Sequence, residues 1–316
     1  MSLTTRPDDA DDAAGVPLMQ LRTQRPFRLD LTAWALRRRA GNRVDVWDGS
    51  YRRAVNVGDR TVSVRVEQHC DRPVLHVSTT DGQHCTATES ASIGSQLRWM
   101  LGLDVDLTEF YRLADADPRT AALKDCFVGV RPPRFPSLFE SFVNAIANQQ
   151  LSVDAGIASL NRFADAYGDR TPDGRVGFLR PATVVGASPD DLRALGFSYR
   201  KAEYIVAAAQ SVLTGELDRE RLTTMDRAPL LQSLTRQHGI GRWSAEYVML
   251  RGLGRIDVFP GDDVGARNNL QRFMDLAEPP SYTDIAEMLA PWTPAAGMLY
   301  FHLLLKNLDA RGELQR

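Results

Sequence analysis

A chain of 316 residues, 43% hydrophobic and 25% charged, has the composition of a globular protein with room for one large domain or two ordinary ones. No apolar run reaches the length of a membrane span, and the start "MSLTTRPDDADDAAG" lacks the basic-then-apolar pattern of a signal peptide, so a cytoplasmic, non-secreted protein without a membrane partner is expected. The formal charge of −2 decides little about other partners, because four aspartates against one arginine in residues 1–14 leave the remainder with a balance of +1.

The first 24 residues are polar, contain two prolines and show no periodicity, which predicts a disordered tail. "LTAWALRRRAG" (31–41) has helical spacing. "RVDVWDG" (43–49), "TVSVRVEQ" (61–68) and "PVLHVST" (73–79) alternate as strands, and Val62, Val64 and Val66 share one face of the second. "SASIGSQLRWMLGL" returns to helical spacing, so an α+β unit with an antiparallel sheet is expected over residues 25–118. After the proline cluster "VRPPRFPS" (130–137) the strand pattern stops, and about eight helices are predicted between Leu138 and Leu308, several opening on Ser, Asp or Thr and closing on Gly.

Cys70, Cys85 and Cys126 are the only cysteines, too few for a four-cysteine iron-sulfur cluster and not spaced for a zinc knuckle. The five histidines have no metal-ligand spacing either.

The most informative stretch is "LTRQHGIGRWSAEY" (234–247), where one helix ends, Gly239 and Gly241 flank an apolar residue, and another helix begins. Glycines allow close approach of backbone amides, and amides at a helix start favour an anion such as a phosphate, with Ile240 turned inward as a pin. A plain connection with the glycines as caps fits the same residues. Trp243 and Tyr247 share a helix face, as core or as a binding wall. Further on, "DVFPGDDVGARNNL" places Asp262 and Asp263 at the start of another helix, as a cap or as a reactive carboxylate. Arg236, Arg242, Arg251 and Arg255 are candidates for a local basic face.

Together "GIGRWSAEYVMLRGLGRIDVFPGDDVGARNNL", "FESFVNAIANQQLS", "LGFSYRKAEYI" and "APWTPAAGMLYFHLLL" resemble the 3-methyladenine DNA glycosylase II family of the helix-hairpin-helix (HhH-GPD) superfamily. The resemblance covers most of the helical half. It implies an all-α helix-hairpin-helix glycosylase domain over residues 119–316, preceded by an α+β domain with a TATA-binding-protein-like antiparallel sheet. The family's catalytic aspartate falls on Asp263, with Asp262 as the alternative, and its aromatic pocket on Trp243, Tyr247 and Trp292. Trp243 stands where relatives with lyase activity carry a lysine, which implies a monofunctional enzyme. DNA contacts fall on Gly239, Ile240, Gly241, Arg242, Gln149, Gln150 and Leu151, with Gln150 or Leu151 as the wedge that fills the space of a flipped base. The backbone carbonyls of Thr235, Gln237 and Ile240 match the family's bound monovalent cation, sodium or potassium, and no other cofactor is implied.

The family implies a monomer acting on double-stranded DNA that contains alkylated purines, 3-methyladenine and 7-methylguanine among them, with release of the base by hydrolysis. In a bacterium such a protein would be nucleoid-associated. "PWTP", with Thr293 and Pro294 after the tryptophan, departs from the arginine and serine of many relatives and puts the shape of that wall in question. A non-catalytic DNA-binding protein built on the same hairpin, or a glycosylase for oxidised or deaminated bases, are the competing readings.

Overall fold

The computed structural model describes residues 15–69 and 72–314 and opens on a five-stranded antiparallel sheet. Its strands are β1 (Val16–Arg22), β2 (Val46–Trp47), β3 (Tyr51–Val57), β4 (Arg60–Gln68) and β5 (Val74–Thr79), in the spatial order β1-β5-β4-β3-β2. A two-residue turn joins β3 to β4, with Gly58 at φ 54° supplying the left-handed residue that matches strand twist. Helix α1 (Leu29–Arg37) lies between the first two strands, and α2 (Ala87–Met100), α3 (Thr108–Ala114) and α4 (Pro118–Cys126) follow the sheet. Helix α2 opens on a capping box in which Thr86 and Glu89 satisfy each other's backbone amides.

Two sequence expectations fail here. Residues 16–22 are not part of a tail: β1 pairs with β5 from Val16 opposite Thr79 to Arg22 opposite Val74, and this long-range ladder orders a stretch with no alternation of its own. Residues 1–14 lie outside the described residues. The strand expected over 43–49 shrinks to Val46–Trp47, and "YRRAVNV", whose two arginines disguise it, forms the long strand β3. Arg53 of β3 is buried because Asp45 and Glu140 accept its hydrogen bonds at 2.6 Å and 2.6–2.7 Å. Tyr51 donates to the same Asp45 at 2.7 Å. A buried guanidinium is tolerated where carboxylates of this kind satisfy it.

The helical part runs through α5 (Leu138–Asn148), α6 (Val153–Tyr167), α7 (Pro181–Val184), α8 (Pro189–Ala194), α9 (Tyr199–Leu213) and α10 (Arg219–Thr223). It continues with α11 (Arg227–Thr235), α12 (Arg242–Gly252), α13 (Val264–Met274), α14 (Tyr282–Leu289) and α15 (Ala296–Ala310). The count exceeds the expected eight because the first long helical run divides at residues 149–152 into α5 and α6, and because the short helices α7 and α10 form within what reads as connections.

Helix α1 joins the two parts. Leu29, Ala33 and Leu36 enter a core shared with the sheet, α5 and α12, while Leu31, Trp34 and Ala35 enter a second core shared with α13 and α15. A helix apolar on both sides is buried on both sides. Its C-terminal end is held by Arg251 of α12, whose guanidinium donates to the carbonyls of Ala35 and Leu36 at 3.0 and 3.2 Å.

Candidate active site

Helices α11 and α12 form the hairpin. Gly239 has φ 77°, and a Cβ there would sit 2.2 Å from the Tyr204 ring, so no larger residue fits. Ile240 is buried beneath the turn. Gly241 is the N-cap of α12 and provides no side-chain acceptor, and a Cβ on it would meet nothing within 4 Å. The first amides of α12 therefore lack a side-chain cap and the approach to them is open, which is the arrangement that suits an external anion.

The turn between α5 and α6 is tied to this hairpin. Gln149 donates through Nε2 to the Gly239 carbonyl at 2.9 Å and to Ser244 Oγ at 3.0 Å. Lys201 Nζ donates to the carbonyls of Ala147 and Gln149 at 3.0 and 2.7 Å, at the C-terminal end of α5 where a cation is favoured. Gln150 follows at φ 53°, a left-handed backbone uncommon for a residue with a side chain, and Leu151 beside it is 46% exposed.

Between turn and hairpin lies a cavity of about 750 Å³ lined by Gln150, Leu151, Trp243, Tyr247, Asp263 and Tyr300. Asp263 caps α13: its Oδ1 accepts from the Ala266 amide at 2.8 Å and its Oδ2 from Trp243 Nε1 at 2.9 Å. Its neighbour Asp262 accepts instead from Arg242 Nε at 2.6 Å, and that guanidinium lies over the Tyr282 ring. The two adjacent acids are thus sorted by their partners, one to an exposed ion pair and the other to an indole and a helix start. The rings of Trp243 and Tyr247 sit 5.8 Å apart at 31°, an offset pair. Tyr300 is buried, and burial, with Asp263 adding to it, pushes its hydroxyl well above the ordinary tyrosine range.

Residues 143–294 match the family described as HhH-GPD superfamily base excision DNA repair protein. The chain is 31% identical over 204 residues to DNA-3-methyladenine glycosylase of Bacillus subtilis, a match covering 64% of this chain and 67% of that one. It is 30% identical over 251 residues to DNA-3-methyladenine glycosylase 2 of Escherichia coli, covering 78% and 83%. The solved structure of 3-methyladenine DNA-glycosylase from Archaeoglobus fulgidus superimposes with a TM-score of 0.79 and 27% identity, over 94% of this chain and all of that one. The chain belongs to the DNA-3-methyladenine glycosylases of this superfamily.

The structure brings most of the anticipated residues to one place but not all. Trp292 lies elsewhere: in the short turn Ala290–Trp292 its ring centroid is 6.1 Å from that of Phe110 of α3, and it lines a separate cavity with Phe273 and Leu299. The apolar core around Phe110 takes up this indole, and Tyr300 of α15 lines the cavity instead. Gln149 supports the turn. Of the candidate basic face only Arg236, exposed at the end of α11, stands clear, since Arg251 is fully buried, Arg242 pairs with Asp262 and Arg255 pairs with Asp257.

Two contributors escape sequence reading. Glu246 of α12 is buried, accepts from Tyr282 Oη at 2.7 Å and from the Gly261 amide at 3.2 Å, and so anchors the loop that carries Asp262 and Asp263. Burial raises its carboxyl above the usual range. A lone acid three residues after Trp243 is the one signal for it. Arg38 also reaches the cavity, and nothing in "LRRRAG" singles out the middle arginine.

Proposed function

We propose that this protein is a monofunctional glycosylase that removes alkylated purines of the 3-methyladenine and 7-methylguanine class from double-stranded DNA. The observation that carries the reading is Asp263, held by the Trp243 indole and the Ala266 amide at the wall of an aromatic cavity beside an open hairpin. The glycosidic bond lies inside the base stack, so the nucleotide has to rotate out, and Gln150 or Leu151 fills the gap while the amides after Gly241 hold a phosphate.

As the bond from C1′ to the base nitrogen breaks, its electron pair leaves with the base and positive charge grows on the sugar. The Asp263 carboxylate stabilises that charge and takes a proton from the water that attacks C1′. Trp243 and Tyr247 attract a cationic alkylated base by about 0.5–2 kcal/mol per ring. Among the described residues no lysine lines the cavity, and Lys201 is engaged with carbonyls, which supports hydrolysis without a Schiff base and without strand cleavage.

No cofactor is required by this chemistry. The carbonyls of Thr235, Gln237 and Ile240 lie at and just beyond the C-terminal end of α11, where the helix dipole favours a cation, and a donor set of neutral carbonyls suits a monovalent ion that braces the hairpin. All residues of the site come from one chain, so a monomer suffices. The substrate places the protein with the chromosome in the cytoplasm.

Base release from methylated duplex DNA by wild type and by Asp263→Asn, with chromatography of the freed bases and borohydride trapping, tests the reading. Wild type is expected to release methylpurines without a trapped adduct, and the variant to bind DNA yet lose about a thousandfold or more in rate. Release at equal rates by both proteins would remove Asp263 from the chemistry, and a trapped adduct would replace hydrolysis with a lyase.

A further inference from the structure

Residues 37–39 are three consecutive arginines at the end of α1, and each meets a different fate. Arg37 donates to the backbone carbonyls of Arg39, Ala40 and Trp47. Arg39 pairs with Asp154 and also lines the cavity. Arg38 turns into the cavity, where it is only 4% exposed. Its Nη1 donates to Tyr247 Oη at 3.0 Å and its Nη2 to Asn144 Oδ1 at 2.8 Å, and its Nε has no partner among the described residues. Both acceptors are neutral. Among the described residues no carboxylate is at ion-pair distance from this guanidinium, although Asp263 lines the same cavity.

The placement is built, because Arg38 has φ 65° and ψ −28°, a backbone state that residues with a Cβ rarely adopt. Its amide donates to the Trp34 carbonyl at 2.9 Å, and Arg251 clamps the carbonyls of Ala35 and Leu36 in the same turn. Asn144 is itself fixed by its Nδ2 donating to the Glu140 carbonyl at 3.0 Å. The hydroxyl of Tyr300, which burial and Asp263 push up, is pulled the other way by Arg251 and Arg38.

We infer that Arg38 is a specificity-determining residue of the base pocket, whose fixed guanidinium selects against a flipped base bearing positive charge and favours a neutral base that offers an acceptor oxygen. The inference rests on the glycosylase reading above. A buried charge without a carboxylate partner is weakly screened, so it acts on an incoming cation at close range and offsets part of the attraction from the Trp243 and Tyr247 faces. Its N–H groups also supply a donor that aromatic walls lack. The N-terminal part of the chain thereby sets which bases are released.

The test uses the full chain in single-turnover release from matched duplexes that carry 7-methylguanine, a cationic base, or hypoxanthine, a neutral base with an oxo group. Arg38→Met is expected to shift the ratio of the two rate constants toward the cationic base by about tenfold or more, while Arg38→Lys, which keeps the charge, stays within about threefold of wild type. Equal loss on both substrates in Arg38→Met, with the ratio unchanged, would reduce Arg38 to a packing role and overturn the inference. Arg38→Gln removes the charge while keeping a donor for Asn144, and it carries the same reading should Arg38→Met fail to fold. Release of neither base by wild type would sink the glycosylase reading first, and this inference with it.

Discussion

Between Trp243 and Val264, directly after the hairpin turn, the chain brings Trp243, Tyr247 and Asp263 to the cavity within one continuous stretch, whereas the N-terminal part sends two arginines there, Arg38 and Arg39, the first from 209 residues before Tyr247. The first region is assembled by local rules, a left-handed glycine, an open helix start and an aspartate cap. The second reaches the site only because α1 is buried on two faces and because Arg53 bridges β3 to α5 through Glu140. Chemistry is thus concentrated in a contiguous segment, while selectivity depends on how two distant parts of the chain dock.

The docking half of this comparison is most exposed to Arg53→Met. Removing the guanidinium leaves Asp45 and Glu140 buried and unpaired, and a loss of about 3–5 kcal/mol in urea unfolding is expected. A loss under about 1 kcal/mol would mean that the sheet and α5 are held together by apolar contact alone.

His302 tests the second core, where α15 meets the N-terminal part. Its ring lies 4.7 Å from that of Phe110, its Nδ1 meets the Met298 carbonyl at 2.8 Å, and burial pushes its pKa down to about 4. Because the folded value lies below the unfolded one of about 6.5, the unfolded chain binds the proton first. Stability is therefore full above that pH and falls as pH drops toward 4, by roughly 3 kcal/mol for this one group. His302→Leu should remove that part of the acid sensitivity, read as the difference between the two proteins' unfolding free energies across this window. Parallel curves would show that His302 does not report the packing of the two parts.

The hairpin half is sharpened by two glycine substitutions of smaller effect. Gly239→Ala forces a Cβ into the Tyr204 ring at a left-handed φ and should cost about 1–2 kcal/mol of stability. Gly241→Ala meets open space and should change stability by only about 0.5 kcal/mol while weakening duplex binding, measured by fluorescence anisotropy. Equal binding by Gly241→Ala and wild type would move the phosphate away from the start of α12.

The legible and illegible parts of the site follow the same division. Gly239, Gly241, Trp243, Tyr247 and Asp263 stand out in the sequence because spacing along one stretch constrains what each side chain faces. Trp292 reads as a pocket residue on the same kind of evidence, but its neighbours along the chain say nothing of Phe110, whose ring lies 6.1 Å from its own. Glu246 has no mark in the sequence beyond being a lone acid after Trp243, and only the fold shows Tyr282 and Gly261 bonding to it. Strands β1 and β3 are illegible for a related reason: one lacks alternation and the other buries an arginine, Arg53, whose partner Glu140 lies far along the chain.

By itself the sequence determined the fold class, the hairpin and the caps of most helices, because backbone conformation at a glycine or a Ser cap is decided within a few residues. Tertiary structure decided which arginine of three bonds to Tyr247 and Asn144 in the cavity wall, which of two aspartates is held by Trp243 and which aromatic completes the cavity. Those outcomes turn on burial and partner geometry between segments far apart in sequence, where a charged or aromatic side chain settles wherever a distant acceptor or apolar face satisfies it.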